Sequence, residues 1–239
     1  MEYRERTYRR RTSTPGLVSF SIQVGQTDLM ISASRDLTEP AFQAVHRYRR
    51  QIESYIESRP DFLKSLIPLS NDNLAPPIVR DMLDAADRAG VGPMAAVAGA
   101  MAERVGRDLL PLSCNIMVEN GGDIFIGMDL EVRVGLFAGT SPLSDRIALR
   151  ILPEQTPLGI CTSSGTVGPS LSLGRADAVT VISKSAALAD AAASSIGNLV
   201  QNPATIGNGI ERAKEIDGVL GVVIIVGDRM GAWGEVELA

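Results

Sequence analysis

The period of the hydrophobic positions changes along the chain. Leu17 to Val24 and Asp28 to Ser34 alternate apolar and polar residues on either side of Gly25, Gln26 and Thr27, which predicts a β-hairpin. Phe42, Val45, Tyr48, Ile52, Tyr55 and Ile56 then recur at helical spacing until Arg59-Pro60, with Thr38 as the expected cap and Pro40 in the first turn. Pro68 to Pro77 is a loop by its Pro, Asn and Asp content, and Ile78 to Ala89 is a second helix ended by Gly90. Pro93 opens a third helix, where Ala95, Ala96, Ala98, Gly99, Ala100 and Ala102 leave so little side chain that it must press against a sheet or another helix.

From Leu112 the period falls to two. SCNIMVEN, IFIG, EVRVGLFAG, RIALRIL and LGICTS predict five short strands in an antiparallel meander, the first two joined at Gly121-Gly122-Asp123. Ala178 to Ser183 adds a strand, Ala186 to Leu199 and Thr205 to Ile216 add helices, and Val219 to Val226 is a buried strand, with Trp233 to Leu238 closing an edge. Strands grouped in this way, rather than alternating strictly with helices, predict an α+β fold: a mainly antiparallel sheet with helices packed on one face. Residues 1–15, with five arginines between Arg4 and Arg11, read as a flexible basic arm, and residues 16–239 as a single domain.

Composition narrows the function classes. The chain has 239 residues, 45% of them apolar but only 4% aromatic, so its core must rely on branched aliphatics and close backbone approach. A formal net charge of -5 argues against a nucleic-acid partner, which requires a basic surface to displace counterions. GLVSFS is too short and polar for a signal-peptide core, and no run reaches the ~18 apolar residues of a membrane span. The expectation is therefore a cytoplasmic protein without a membrane partner. Cys114 and Cys161 lie far apart and His46 is the single histidine, which excludes a structural zinc site and leaves two reduced thiols.

Three stretches could carry chemistry. Asp190 and Ser194 lie four apart on one helix, so a carboxylate and a hydroxyl share a face, while Leu188, Ala192, Ser195 and Leu199 form a different stripe toward the core. The pair suits Mg2+, which takes hard oxygen ligands alongside substrate phosphates; on spacing alone, a solvated Asp on an alanine-rich helix is the plainer reading. Thr162, Ser163, Ser164, Gly165, Thr166 and Gly168 form a hydroxyl- and glycine-rich loop able to wrap an anion, although it lacks the lysine of a P-loop and also reads as a polar turn. Asn120-Gly121-Gly122-Asp123 is either a hairpin turn or a place where a ring or phosphate meets bare backbone. Gly92 could offer amides to an anion, but helix packing explains it as well. Cys161 has no adjacent base to make it a nucleophile, and His46 reads as a partly exposed helix position.

In order, NGGDIFIG, GICTSSG, DAVTVIS and SAALADAAASSIGN resemble the ApbE-like superfamily, whose best-known members are FAD:protein FMN transferases. The likeness is to a shorter, uncharacterised branch, for which VGPMAAVAGA and GVVIIVGDRMGAWGEVEL also look typical. The resemblance implies an α+β fold that binds FAD, with Mg2+ at the pyrophosphate and an acceptor protein whose hydroxyl takes FMN. It assigns the metal to Ala189, Asp190 and Ser194, and the flavin dinucleotide to Asn120, Gly121, Gly122 and Asp123 together with Thr162, Ser163, Ser164, Gly165 and Thr166. The transferases carry a histidine in a His-x-x-x-Pro segment between the loop and the next strand; TVGPSLSLGRADAVTV contains none. Three expectations follow: a Mg-dependent transferase whose catalytic group is unknown, a flavin carrier or sensor without turnover, or a homo-oligomer built on the small-residue helices around a vestigial site.

Overall fold

A computed structural model describes residues 16–166 and 173–239. The arm at residues 1–15 and the loop position Gly168 lie outside the described residues. Eight strands form one sheet: β1 (Val18–Val24), β2 (Thr27–Ala33), β3 (Ile116–Asn120), β4 (Asp123–Gly127), β7 (Leu158–Ser163), β8 (Ala178–Ser183), β9 (Val219–Val226) and β10 (Arg229–Gly234). They are adjacent in that order and every neighbouring pair is antiparallel. The helices α1 (Thr38–Ser58), α2 (Asp61–Lys64), α3 (Pro77–Ala89), α4 (Val97–Leu109), α5 (Ala186–Leu199) and α6 (Ile206–Glu215) share one core with the face of the sheet that carries Val118, Phe125, Val181 and Ile224. The α+β expectation is met. Among the described residues, no helix is long and apolar enough to cross a membrane.

The expected five-strand meander needs correction. β5 (Val132–Gly135) and β6 (Ala148–Ile151) leave the main sheet and pair only with each other. Their inward residues Val132, Val134, Leu149 and Ile151 pack on Ile126, Leu158, Ile160 and Ile182, on the sheet face opposite the helices. The reason lies in the central strands. All residues of β4 and β8 are buried, so both faces of the sheet must be covered, and the small second sheet covers the one the helices leave. Leu238 extends this cover through a bridge to Leu149 rather than closing the edge of the main sheet.

Two local expectations also change. Thr38 is the first residue of α1 rather than its cap, because the Asp36 carboxylate takes both its amide at 2.8 Å and its hydroxyl at 2.6 Å. Leu199 is exposed at the end of α5, while Leu188, Ala192 and Ser195 are buried as expected.

Helix α5 fixes the architecture near the candidate site. Ten of its residues are buried, and it packs against β7, β8, α3, α4 and α6. Ala186 in its first turn fits between two glycines. A Cβ on Gly159 of β7 would lie 2.3 Å from the Ala186 Cα, and one on Gly99 of α4 would lie 2.1 Å from the Ala186 carbonyl oxygen. The small residues of α4 and α5 therefore serve close packing, the plainer of the readings the sequence offered.

Candidate functional site

The site grows out of the β3–β4 turn. Gly121 and Gly122 have φ of +71° and +113°, which glycine adopts without strain, so the hairpin reverses in two residues and presents bare backbone. The Glu119 carboxylate accepts the Gly122 amide at 3.1 Å, and the Asn120 side-chain amide donates to the Ala98 carbonyl at 3.1 Å. This last bond ties the turn to the start of α4. Asp123 opens β4 opposite Cys161 of β7 and is only 8% exposed.

Asp190 approaches from the other side. Its Oδ2 accepts the Gly99 amide at 2.9 Å, so a carboxylate one turn into α5 meets the first turn of α4. It is half-buried, not solvated as the spacing alone suggested. Burial outweighs the Gly99 and Ala98 amides and pushes its pKa from 3.8 up to about 7. Asp123 moves the same way and further, first through burial and then through repulsion from Asp190; the Cys161 thiol and the Thr162 amide offset this only in part. The largest influences on both carboxylates include no basic side chain. Buried Asp123 and half-buried Asp190 thus share one corner of the fold.

Stability should record this arrangement. The folded chain keeps protons on Asp190 and Asp123 that the unfolded chain has lost, so the two groups favour folding fully below about pH 4 and this contribution is lost as pH rises through about 7 and beyond. Urea unfolding at half-unit steps from pH 5 to pH 8 should show falling stability, with a maximal slope of ~1.4 kcal/mol per pH unit for each group. A profile that rises over this range would contradict the burial of the pair.

The remaining sequence-predicted residues divide by face. Strand alternation turns Cys161 and Ser163 to the helices and Thr162 to the second sheet, where its hydroxyl pairs with Thr180 at 2.9 Å. Thr162 reaches the corner only through its backbone, a correction to the expected row of hydroxyls. Gly165 donates to the Ala176 carbonyl at 2.9 Å and Thr166 donates to Asp177 at 3.1 Å, folding Ser164 to Thr166 back over residues 174–177. Ser194 is half-buried one turn beyond Asp190, and Ala189 is fully buried, so it can offer a cation only its carbonyl oxygen. Cys161 is buried within reach of Asp123 and of the Ala186 carbonyl at 3.3 Å; burial and both nearby carboxylates push its thiol pKa well up, leaving a protonated donor rather than a nucleophile. His46 is exposed on α1, edge-on to Phe42 at 4.5 Å.

Sequence reasoning missed Glu103. This buried residue of α4 accepts the Ala186 amide at 2.7 Å, the Ser185 hydroxyl at 3.1 Å and the Ala187 amide at 3.4 Å. A charged residue within the alanine-rich run of α4 was the available signal.

Among the described residues no group of three or more His, Cys, Asp or Glu side chains could hold a metal ion. Two carboxylates and a hydroxyl still fit Mg2+, which fills its shell with water and substrate phosphate oxygens.

Comparison with known proteins agrees with the architecture. The flavin transferase ApbE from Vibrio cholerae, in a mutant form, aligns with a TM-score of 0.56 at 13% identity, covering 91% of this chain and 97% of that one. The apo flavinyl transferase ApbE of Pseudomonas stutzeri aligns at 0.53 and 16% identity over 91% and 94%. At such identities the likeness is one of fold. A UPF0280 protein of Methanococcus maripaludis is 41% identical over 221 residues, 90% of each chain, and one of Methanothrix thermoacetophila is 43% identical over 210 residues, 87% of each. The family model described as AbpE bacteria matches residues 9–228, so together with these relatives it shows that the chain belongs to that family.

Proposed function

We propose that the chain binds FAD with Mg2+ and transfers its FMN part to an acceptor hydroxyl, releasing AMP. The observation that carries this reading is the pairing of buried Asp123 with half-buried Asp190 beside a side-chain-free turn. Asp190, Asp123 and Ser194, with the Ala189 carbonyl, would hold the cation, which would neutralise diphosphate charge and polarise the phosphorus under attack. Gly121 and Gly122 let a phosphate or ring approach the backbone, while Asn120 keeps the turn against α4. The Ser163 side chain faces α5, with its hydroxyl beside Gly197. The protons on Asp190 and Asp123 must leave before a cation can bind, so Mg2+ affinity should increase as pH passes about 7.

The sole histidine, His46, is solvent-facing on α1, and this favours a second reading in which the same corner holds flavin without turnover. Incubating the protein with FAD and Mg2+ separates the two. FMN or AMP formed in the presence of an acceptor protein supports transfer. A rise in thermal stability without products supports a carrier, and no effect of FAD and Mg2+ on either measurement sinks both.

A further inference from the structure

We propose that Glu103 is the positioning residue that sets Asp190 in register with the start of α4. Helices α4 and α5 pack together around the start of α5, and each supplies a carboxylate to the other. Gly99 and Glu103 lie one turn apart on α4, and Ala186 and Asp190 lie one turn apart on α5. Gly99 meets Asp190, and Glu103 meets Ala186. An α-helix begins with four amides lacking intrahelical partners, and in α5 all four can be followed. Ser185 donates to the Ser183 hydroxyl at 3.2 Å, Ala186 and Ala187 donate to Glu103, and Leu188 donates to the Ser185 hydroxyl at 3.3 Å.

Glu103 divides its oxygens. Oε2 receives the two amides and the Ser185 hydroxyl, while Oε1 receives Arg107 Nε at 2.9 Å, which holds the carboxylate in place on its own helix. Asp190 holds α4 through the Gly99 amide, whereas Glu103 takes three donors from the start of α5. The anchored end therefore decides where the other end falls. Gly99 has no side chain to catch α5 if it slides or rotates, so loss of the Glu103 anchor should be felt first at the Gly99–Asp190 bond.

The consequence for cation binding rests on the function proposed above; the Gly99 amide does not. The test is amide hydrogen exchange by NMR on the full chain, wild type and Glu103→Gln, together with calorimetric titration of Mg2+ alone and Mg2+ with FAD. The expected result is Gly99 exchange at least ~10-fold faster in the variant, protection of Val222 to Ile225 in the central sheet unchanged, and Mg2+ affinity lowered several-fold. If Glu103→Gln does not fold, Ser185→Ala, which removes one of the three donors to Glu103 and the hydroxyl that accepts the Leu188 amide, is measured in the same way and should show a smaller acceleration confined to Gly99 and the start of α5. Unchanged Gly99 exchange in the folded variant overturns the assignment, whatever the cation does. Faster Gly99 exchange in a protein whose wild type binds no Mg2+ leaves the assignment standing and removes the flavin reading instead.

Discussion

Replacing Asp190 by asparagine should make the ligand-free protein more stable at pH 8 and at the same time blind to FAD and Mg2+. Asparagine keeps an oxygen for the Gly99 amide and removes a charge that burial disfavours. A buried charge commonly costs a few kcal/mol, so the gain should be about 1–3 kcal/mol at pH 8, smaller at pH 5 and gone below about pH 4, where aspartate is protonated in both the folded and the unfolded chain. Wild-type protein with ligand at about 100 times its Kd should gain about 2.7 kcal/mol, and the variant none. Thermal melts of both proteins at pH 5 and pH 8, with and without FAD and Mg2+, would decide the matter. If the variant were less stable at pH 8 and still responded to the ligand, Asp190 would be a helix cap and nothing more.

The second large effect is steric. Gly99→Ala places a methyl group 2.1 Å from the Ala186 carbonyl oxygen and 2.8 Å from the Asp190 Cβ, and the first of these is backbone that cannot rotate aside. Helix α5 cannot retreat either, because Gly159 meets it on the other side so closely that a Cβ there would lie only 2.3 Å from the Ala186 Cα. Overpacking of this kind costs about 3 kcal/mol, or a midpoint lower by roughly 6–12 °C for a chain of this size. Differential scanning calorimetry would measure it. Gly207→Ala, where a methyl group would meet nothing within 4 Å, is the control and should change the midpoint little. A Gly99→Ala protein as stable as wild type would mean that the two helices can separate freely.

Much of this architecture could be read locally. The β1–β2 hairpin, the Gly90 stop of α3 at φ +71° and the buried β9 strand depend on short-range pattern and turn chemistry, and all three are present. The departure of β5 and β6 from the meander could not be read in this way, because a period of two is the same whichever sheet a strand joins. The unbroken apolar runs of β4 and β8 did carry the hint that both faces would be covered. Around the candidate site the residue types pointed to Asp123, Asp190 and the two turn glycines, but not to their setting. Thr162 was grouped with its hydroxyl neighbours although strand alternation separates it from Cys161 and Ser163. Glu103 escaped notice because its partners on α5 lie more than eighty positions away, beyond the reach of any local window.

The seat of α5 also limits how this protein can change over time. A helix pressed between a strand glycine and a helix glycine has no slack in its first turn, so substitutions there are felt as collisions before they can alter chemistry. The β3–β4 turn is under no such compression: a Cβ on Gly122 would meet the Thr162 carbonyl oxygen only at 3.7 Å. New ligand preferences in relatives of this chain should therefore arise by editing that rim, while Asp190 stays a fixed reference point.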